Sequence, residues 1–353
     1  MRVERIEWID SLKFIGMFYI YLGHLGNSAG KLYPFVFSFH VALFFFVSGF
    51  FAGHGNEKSI AEFAWARFRQ IMIPYYIYSL IAILVYLLSE SATPDFGMVF
   101  DLLRKMLLGV RNDTPYAPAL WFLPCIFVTS VFFRIVHAFT ANRLKVGLVF
   151  ALAYLSSFLL PETPPVYKPL LWLNIDSAMY YGIFYCLGWL LFGRIRKFDL
   201  RLAYGNPQGV AIFAGTAAIT FIVFLKGMNY PFQLLGVDWP AGVRLTLTLP
   251  FVLAIFVFHF FIANLVCGIG MVSVLGRETL LLCGLETVTR SLIVTCITLL
   301  GLSLNLYNAF SAVVFTGATL VVSYRFMVPL KSRIAARYRQ GRAFGSAEIS
   351  AQP

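Results

Sequence analysis

The chain has 353 residues, 59% hydrophobic and only 12% charged, about half the charged share of an ordinary soluble domain. Apolar segments of roughly 18 to 25 residues recur along its length and lack the period-two alternation of barrel strands, which excludes both a soluble globular protein and a transmembrane β-barrel. The net charge of +12 then fits the positive-inside rule and anionic lipid, not nucleic acid.

The pattern predicts an all-α, polytopic transmembrane helical bundle. About ten spans are expected near residues 11–30, 36–53, 71–89, 119–137, 146–160, 174–193, 207–225, 243–263, 279–301 and 307–328. The first run lacks a small-residue cleavage site and is expected to stay as a helix. An even count puts both termini on one side. The connections on that side hold most of the Lys and Arg, including Arg194, Arg196, Lys197, Arg201 and the tail from Lys331 to Arg342, which predicts that both ends are cytoplasmic. Residues 1–330 read as one transmembrane domain and 331–353 as a basic tail, disordered beyond Ala343. On the opposite side, the run D-L-L-R-K-M-L-L-G-V beginning at Asp101 has helical apolar spacing and reads as an interfacial helix or an ordered loop. The segment from Lys226 to Pro240 has the Gly, Pro and aromatic content of a membrane surface.

The most informative stretch is Trp8 to Phe51, which sets Asp10, Lys13, His24 and His40 in apolar sequence. Ionisable groups are costly at membrane depth, so each is a functional candidate. In a continuous helix Lys13 and His24 lie eleven residues apart on one face, about 16 Å along the axis. Asp10 precedes Lys13 by one turn, where an ion pair would hold the lysine. His40 opens the second span at a depth similar to His24, and histidine moves protons near neutral pH. Simpler roles exist for each: Lys13 can snorkel to headgroups, and either histidine can sit at the interface.

Other polar residues have structural defaults. Ser48 and Gly49 read as a small-residue packing site, and Trp121 and Phe122 as an aromatic belt or a sugar-stacking pair. Glu286 and Arg290 are spaced to pair with each other. His54, His137 and His259 read as structural. Cys125, Cys186, Cys267, Cys283 and Cys296 are scattered singly, with no C-x-x-C and no metal-ligand spacing, so no metal site is expected.

W-I-D-S-L-K, ten residues, then His24, followed by F-S-F-H-V-A-L-F-F-F-V-S-G-F, resembles the membrane-bound acyltransferase family 3. The similarity continues through R-F-R-Q-I-M-I-P-Y-Y, A-L-W-F-L, F-Y-C-L-G-W-L-L and L-G-R-E-T-L, over essentially the whole chain. The resemblance implies a bacterial cytoplasmic (inner) membrane enzyme that takes an acyl group, acetyl above all, from cytoplasmic acyl-CoA. The acceptor is a hydroxyl of an envelope glycan or lipid-linked sugar. It implies His24 as catalytic, with His40 and Asp10 beside it, and Lys13, Arg67 and Arg69 as cations for the donor. His24 acts either as general base or as nucleophile; no residue in the sequence reads as an activator, which favours the base. His40 then binds acceptor, relays a proton or stabilises the oxyanion.

Two departures stand out. Gln70 occupies the place where the family often has a second arginine three residues after Arg67, so either Arg69 substitutes or part of the donor contact is lost. Glu286 stands where many members have a histidine, which puts a second histidine role there in doubt. The rival readings are a transporter or flippase of a lipid-linked glycan, and a non-catalytic assembly subunit. The matched broken helices expected of an inverted-repeat transporter are not evident in the sequence.

Overall fold

The computed structural model describes residues 6–54, 57–89, 95–111, 117–140, 142–159, 171–196, 205–226 and 241–333. The described residues form helices and no strands. The expectations for residues 227–240, for Lys197 and Arg201, and for the tail beyond 333 lie outside them. Up to Arg333 the chain is still helical, and Lys331 pairs with Glu278.

Among the described residues, eight helices are long and apolar enough to cross a membrane: Leu32–Gly49, Ile60–Ser89, Phe122–Thr140, Trp172–Ile195, Pro207–Lys226, Thr246–Leu265, Thr279–Leu299 and Ala309–Arg333. Each falls on a predicted span. The other two predicted spans are shorter helices, α1 (Glu7–Gly23, 17 residues) and α8 (Arg143–Ser156, 14 residues). The first is cut short because Gly26 and Gly30 take positive φ angles of 58° and 55° in the turn that follows.

The remaining helices are α2 (Leu32–Phe37), α3 (His40–Gly49), α4 (Ile60–Arg67), α5 (Ile73–Ser89), α6 (Phe96–Leu108), α7 (Phe122–Thr140), α9 (Ile175–Ile195), α10 (Pro207–Lys226), α11 (Ala241–Leu265), α12 (Gly270–Arg277), α13 (Thr279–Leu299) and α14 (Ala309–Val322). A π-helical turn over Phe68–Met72 joins α4 to α5. The stretch read as an interfacial helix or an ordered loop forms helix α6: Asp95 caps it through Met98 N–H, and Gly109, with φ 63°, ends it. Phe96 and Phe100 are exposed on α6, while Arg104 and Lys105 pair with Asp101 and hold its carboxyl below the ordinary range.

The outside of the bundle is apolar, as a lipid-facing surface requires. On α5, Ile77, Leu80, Leu84 and Leu88 repeat at helical spacing and are all exposed. Helix α1 is central: it packs against α2, α3, α11, α12, α13 and α14.

Without a hydrophobic drive between helices in lipid, close packing depends on small residues. The most extensive contact, α3 on α9, uses two glycines reciprocally. A Cβ on Gly49 would sit 2.0 Å from the Tyr185 carbonyl oxygen, and one on Gly188 would sit 1.9 Å from that of Phe46. The packing role expected of the Ser48 and Gly49 pair is therefore realised by Gly49. A third contact fixes the start of α1: a Cβ on Gly276 would meet the Asp10 carbonyl oxygen at 1.8 Å. Gly188→Ala should destabilise the protein by about 1–3 kcal/mol or more, seen as a lower thermal midpoint in detergent. Gly193→Ala, with nothing within 4 Å of the added carbon, should leave the midpoint unchanged.

Candidate functional site

Helix α1 is continuous from Glu7 to Gly23, and His24 forms its C-cap. At its first turns Lys13 Nζ lies 3.9 Å from Asp10 Oδ1, the predicted ion pair, and 5.5 Å over the Phe51 ring. At the other end His24 Nδ1 lies 2.9 Å from Glu286 Oε2. The carboxylate is 1% exposed. Arg290 Nη1 sits 3.3 Å from Glu286 Oε1 and donates to the His24 main-chain oxygen at 2.9 Å. Thr287 Oγ1 donates to Glu286 Oε2 at 3.3 Å, and Tyr21 donates to the Leu282 carbonyl oxygen at 3.0 Å. The end of α1 is thus tied to α13 by charge, by a capped backbone carbonyl and by a tyrosine.

The geometry assigns the ring of a neutral His24. A carboxylate accepts only, so Nδ1 carries the hydrogen and Nε2 presents its lone pair. Glu286 is a partner of His24 that the sequence did not disclose, and Arg290 sets a cation beside the buried carboxylate. Its one-dimensional signal was an acid inside the apolar run L-L-L-C-G-L-E-T-V-T. The expected Glu286 and Arg290 pair forms, with the histidine as a third member.

His40 lies at the first turn of α3, where the helix breaks from α2 at Phe39. Its Nδ1 donates to the Val36 carbonyl oxygen, and the ring is 3% exposed. A neutral His40 therefore offers Nε2 as an acceptor and has no N–H left for an oxyanion. The His24 imidazole and the Arg111 guanidinium are in electrostatic reach of it.

A cavity of about 270 Å³ lies between α1, α3, the end of α4 with the π-helical turn after it, α7, α9 and α13. Arg67 and Gln70 line it together with Met17, Ile20, Phe44 and Cys283. Ile20 is one turn from His24, and Cys283 one turn from Glu286. Phe51, which carries the Lys13 ammonium, also lines it. Gln70 accepts from Arg67 at 3.4 Å, whereas Arg69 stacks over Trp65 at 5.7 Å and does not line the cavity. Gln70, not Arg69, thus shares the cavity with Arg67.

A second polar cluster surrounds the N-terminus of α9. Leu173 and Asn174 both take left-handed φ angles, 53° and 57°, a strained pair at about 1–3 kcal/mol each. The buried Asn174 side chain holds them in place by accepting from Arg111 N–H at 2.8 Å and donating to the Gly109 and Trp121 carbonyl oxygens. The Arg111 guanidinium lies 4.6 Å over the Trp121 ring. This cluster escaped the sequence reading apart from Trp121, because its members are scattered over three segments. His259 accepts at Nε2 from Tyr19 and donates at Nδ1 to Ile255, a satisfied structural histidine as expected. Among the described residues no group of His, Cys, Asp or Glu is arranged to hold a metal.

The architecture defines a class: a helical membrane protein with a histidine–carboxylate pair deep in the bundle beside a narrow cavity. The chain belongs to the acyltransferase domain family 3, whose profile matches residues 6–328. It is a membrane acyltransferase. No curated protein and no solved structure matches the chain significantly. Glu286→Ala, which leaves the His24 and Arg290 groups without their buried partner, should cost about 3–5 kcal/mol, measured as detergent thermal stability. Glu286→Gln, which keeps an acceptor oxygen, should cost less.

Proposed function

We propose that this protein O-acylates a hydroxyl of an envelope glycan or lipid-linked sugar with an acyl group, acetyl above all, taken from cytoplasmic acyl-CoA. The observation that carries the reading is the His24 ring, fixed through Nδ1 by a buried carboxylate, with no hydrogen bond to Nε2 among the described residues. As general base, Nε2 takes the acceptor hydroxyl proton while the oxygen attacks the thioester carbonyl. The tetrahedral intermediate collapses, the C–S bond breaks, and the imidazolium returns the proton to the departing thiolate. Glu286 orients the ring and stabilises the imidazolium, as a carboxylate does in a hydrolase triad. His40, with Nε2 as acceptor, suits the acceptor hydroxyl.

The donor enters from the side of the termini, which the basic connections mark as cytoplasmic. The cavity is narrow beside ligand pockets of roughly 300–1,000 Å³, so it takes the linear thioester arm and leaves the nucleotide outside. Lys13 and Arg67 are the cations for the coenzyme phosphates. Arg69 would act at most from the surface, and Asp10 fixes Lys13. The setting is the bacterial inner membrane. A flippase has no need of a carboxylate-oriented imidazole beside a narrow apolar cavity.

His24→Ala should abolish O-acyl signals in NMR spectra of envelope glycans while the protein remains folded; unchanged acylation would overturn the assignment. Glu286→Gln should lower kcat by roughly 10²–10⁴-fold, as loss of general-base assistance does. Arg67→Ala should raise KM for acyl-CoA by roughly tenfold with little change in kcat, and added salt should narrow the gap to wild type.

A further inference from the structure

Arg111 has no part in the reaction as described, yet its surroundings are built around it. Its backbone is held by Asn174, at the cost of two consecutive left-handed residues. Its guanidinium lies on Trp121, with the Tyr181 hydroxyl in electrostatic reach. Tyr181 is itself stacked on Phe45 of α3 with ring centroids 4.9 Å apart. One guanidinium nitrogen, Nη1, is buried and has no hydrogen-bond partner among the described residues. A buried N–H of a permanent cation is expensive to leave unpaired, and native structures reserve such groups for a ligand or a strained site. Among the described residues, the charged and titratable groups that interact electrostatically with it include His40, Cys125 and Tyr181, with the buried Asp176 reaching Cys125 from α9. Asp176 is engaged by the Ser177 and Leu171 N–H groups.

His40 connects this cluster to the proposed reaction centre, since His24 and Arg111 both act electrostatically on the same imidazole. Arg111 follows α6, and most of the crossing helix Ile60–Ser89 separates it along the chain from Arg67. An acceptor held at Arg111 would then come from the other end of that crossing than a donor held at Arg67.

We propose that Arg111 is an acceptor-binding residue: it recognises an anionic group, a carboxylate or a phosphate, on the molecule whose hydroxyl is acylated. This deepens the acyltransferase reading and rests on it. A guanidinium presents paired N–H groups to either anion, and stacking on Trp121 fixes the plane in which it does so. The acceptors it fits are acidic sugars or sugars carrying a phosphate, and neutral sugars lack the group it reads.

The test uses the full chain in lipid nanodiscs with isotope-labelled acetyl-CoA. The acceptor is the envelope fraction of cells lacking the gene. One portion is untreated, one is amidated at its carboxylates with carbodiimide and an amine, and one is dephosphorylated. Wild-type transfer should fall by roughly tenfold or more on one treated fraction, which identifies the anion. Arg111→Met should lose a similar factor on the untreated fraction, as a rise in KM for acceptor, and should be indifferent to the treatment. Its acceptor-independent release of CoA thiol and its thermal midpoint should stay at wild-type values. Arg111→Lys should recover part of the loss. Equal transfer by Arg111→Met and wild type would overturn the proposal, as would wild-type indifference to both treatments. A parallel loss of CoA release or of thermal stability would reassign Arg111 to structure. Absence of wild-type transfer to any fraction would instead sink the acyltransferase reading beneath it.

Discussion

A carboxylate in the interior of a membrane protein has to be compensated on every side, and Glu286 is compensated almost entirely by the end of α1 and by its own helix. His24 takes one oxygen, Arg290 approaches the other, and the same guanidinium caps the His24 carbonyl. These contacts are worth keeping only as a set, because removing one member leaves the rest charged and dry. The set fixes the position of α1 along α13, and α1 touches most of the bundle. Geometry at one histidine and the register of the central helix are therefore one constraint.

The other end of α1 is fixed by different physics. There Gly276 admits the Asp10 backbone at a distance no side chain would allow. Van der Waals closeness sets the level of Asp10 and Lys13, while electrostatics sets the level of His24. Between them Met17 and Ile20 give α1 an apolar wall on the cavity. The helix thus carries the Lys13 ammonium at one end of this wall and the His24 imidazole at the other. The break at Phe39 serves the same end on the neighbouring segment, because it sets the His40 ring beside the Val36 carbonyl and leaves one nitrogen turned elsewhere.

Much of this was legible in one dimension. The lengths of the apolar runs located the crossing helices, since a bilayer imposes nearly the same length on each. The pairs Asp10–Lys13 and Glu286–Arg290 were legible because residues three or four apart on a helix are neighbours whatever the fold does. The Gly49 packing site was legible because small residues in apolar helices have few other uses. Family membership rested on Lys13 and His24 at fixed spacing, with the remaining motifs in order. The lengths of α1 and α8 were less legible, because the turn glycines that end α1 resemble any polar link.

The sequence by itself determined that this is a polytopic helical membrane protein with the motifs of the acyltransferase 3 family, because composition, segment length and local spacing carry that information directly. Only the tertiary structure decided that Glu286 is the partner of His24, 262 residues away. Only the structure turned Arg69 onto Trp65 while Gln70 joined Arg67 at the cavity, and only it gathered Arg111, Trp121, Asn174 and Tyr181 around one guanidinium. Each of these depends on which face a helix turns to its neighbours. That rotation is set by packing across the whole bundle, and no local stretch of sequence specifies it.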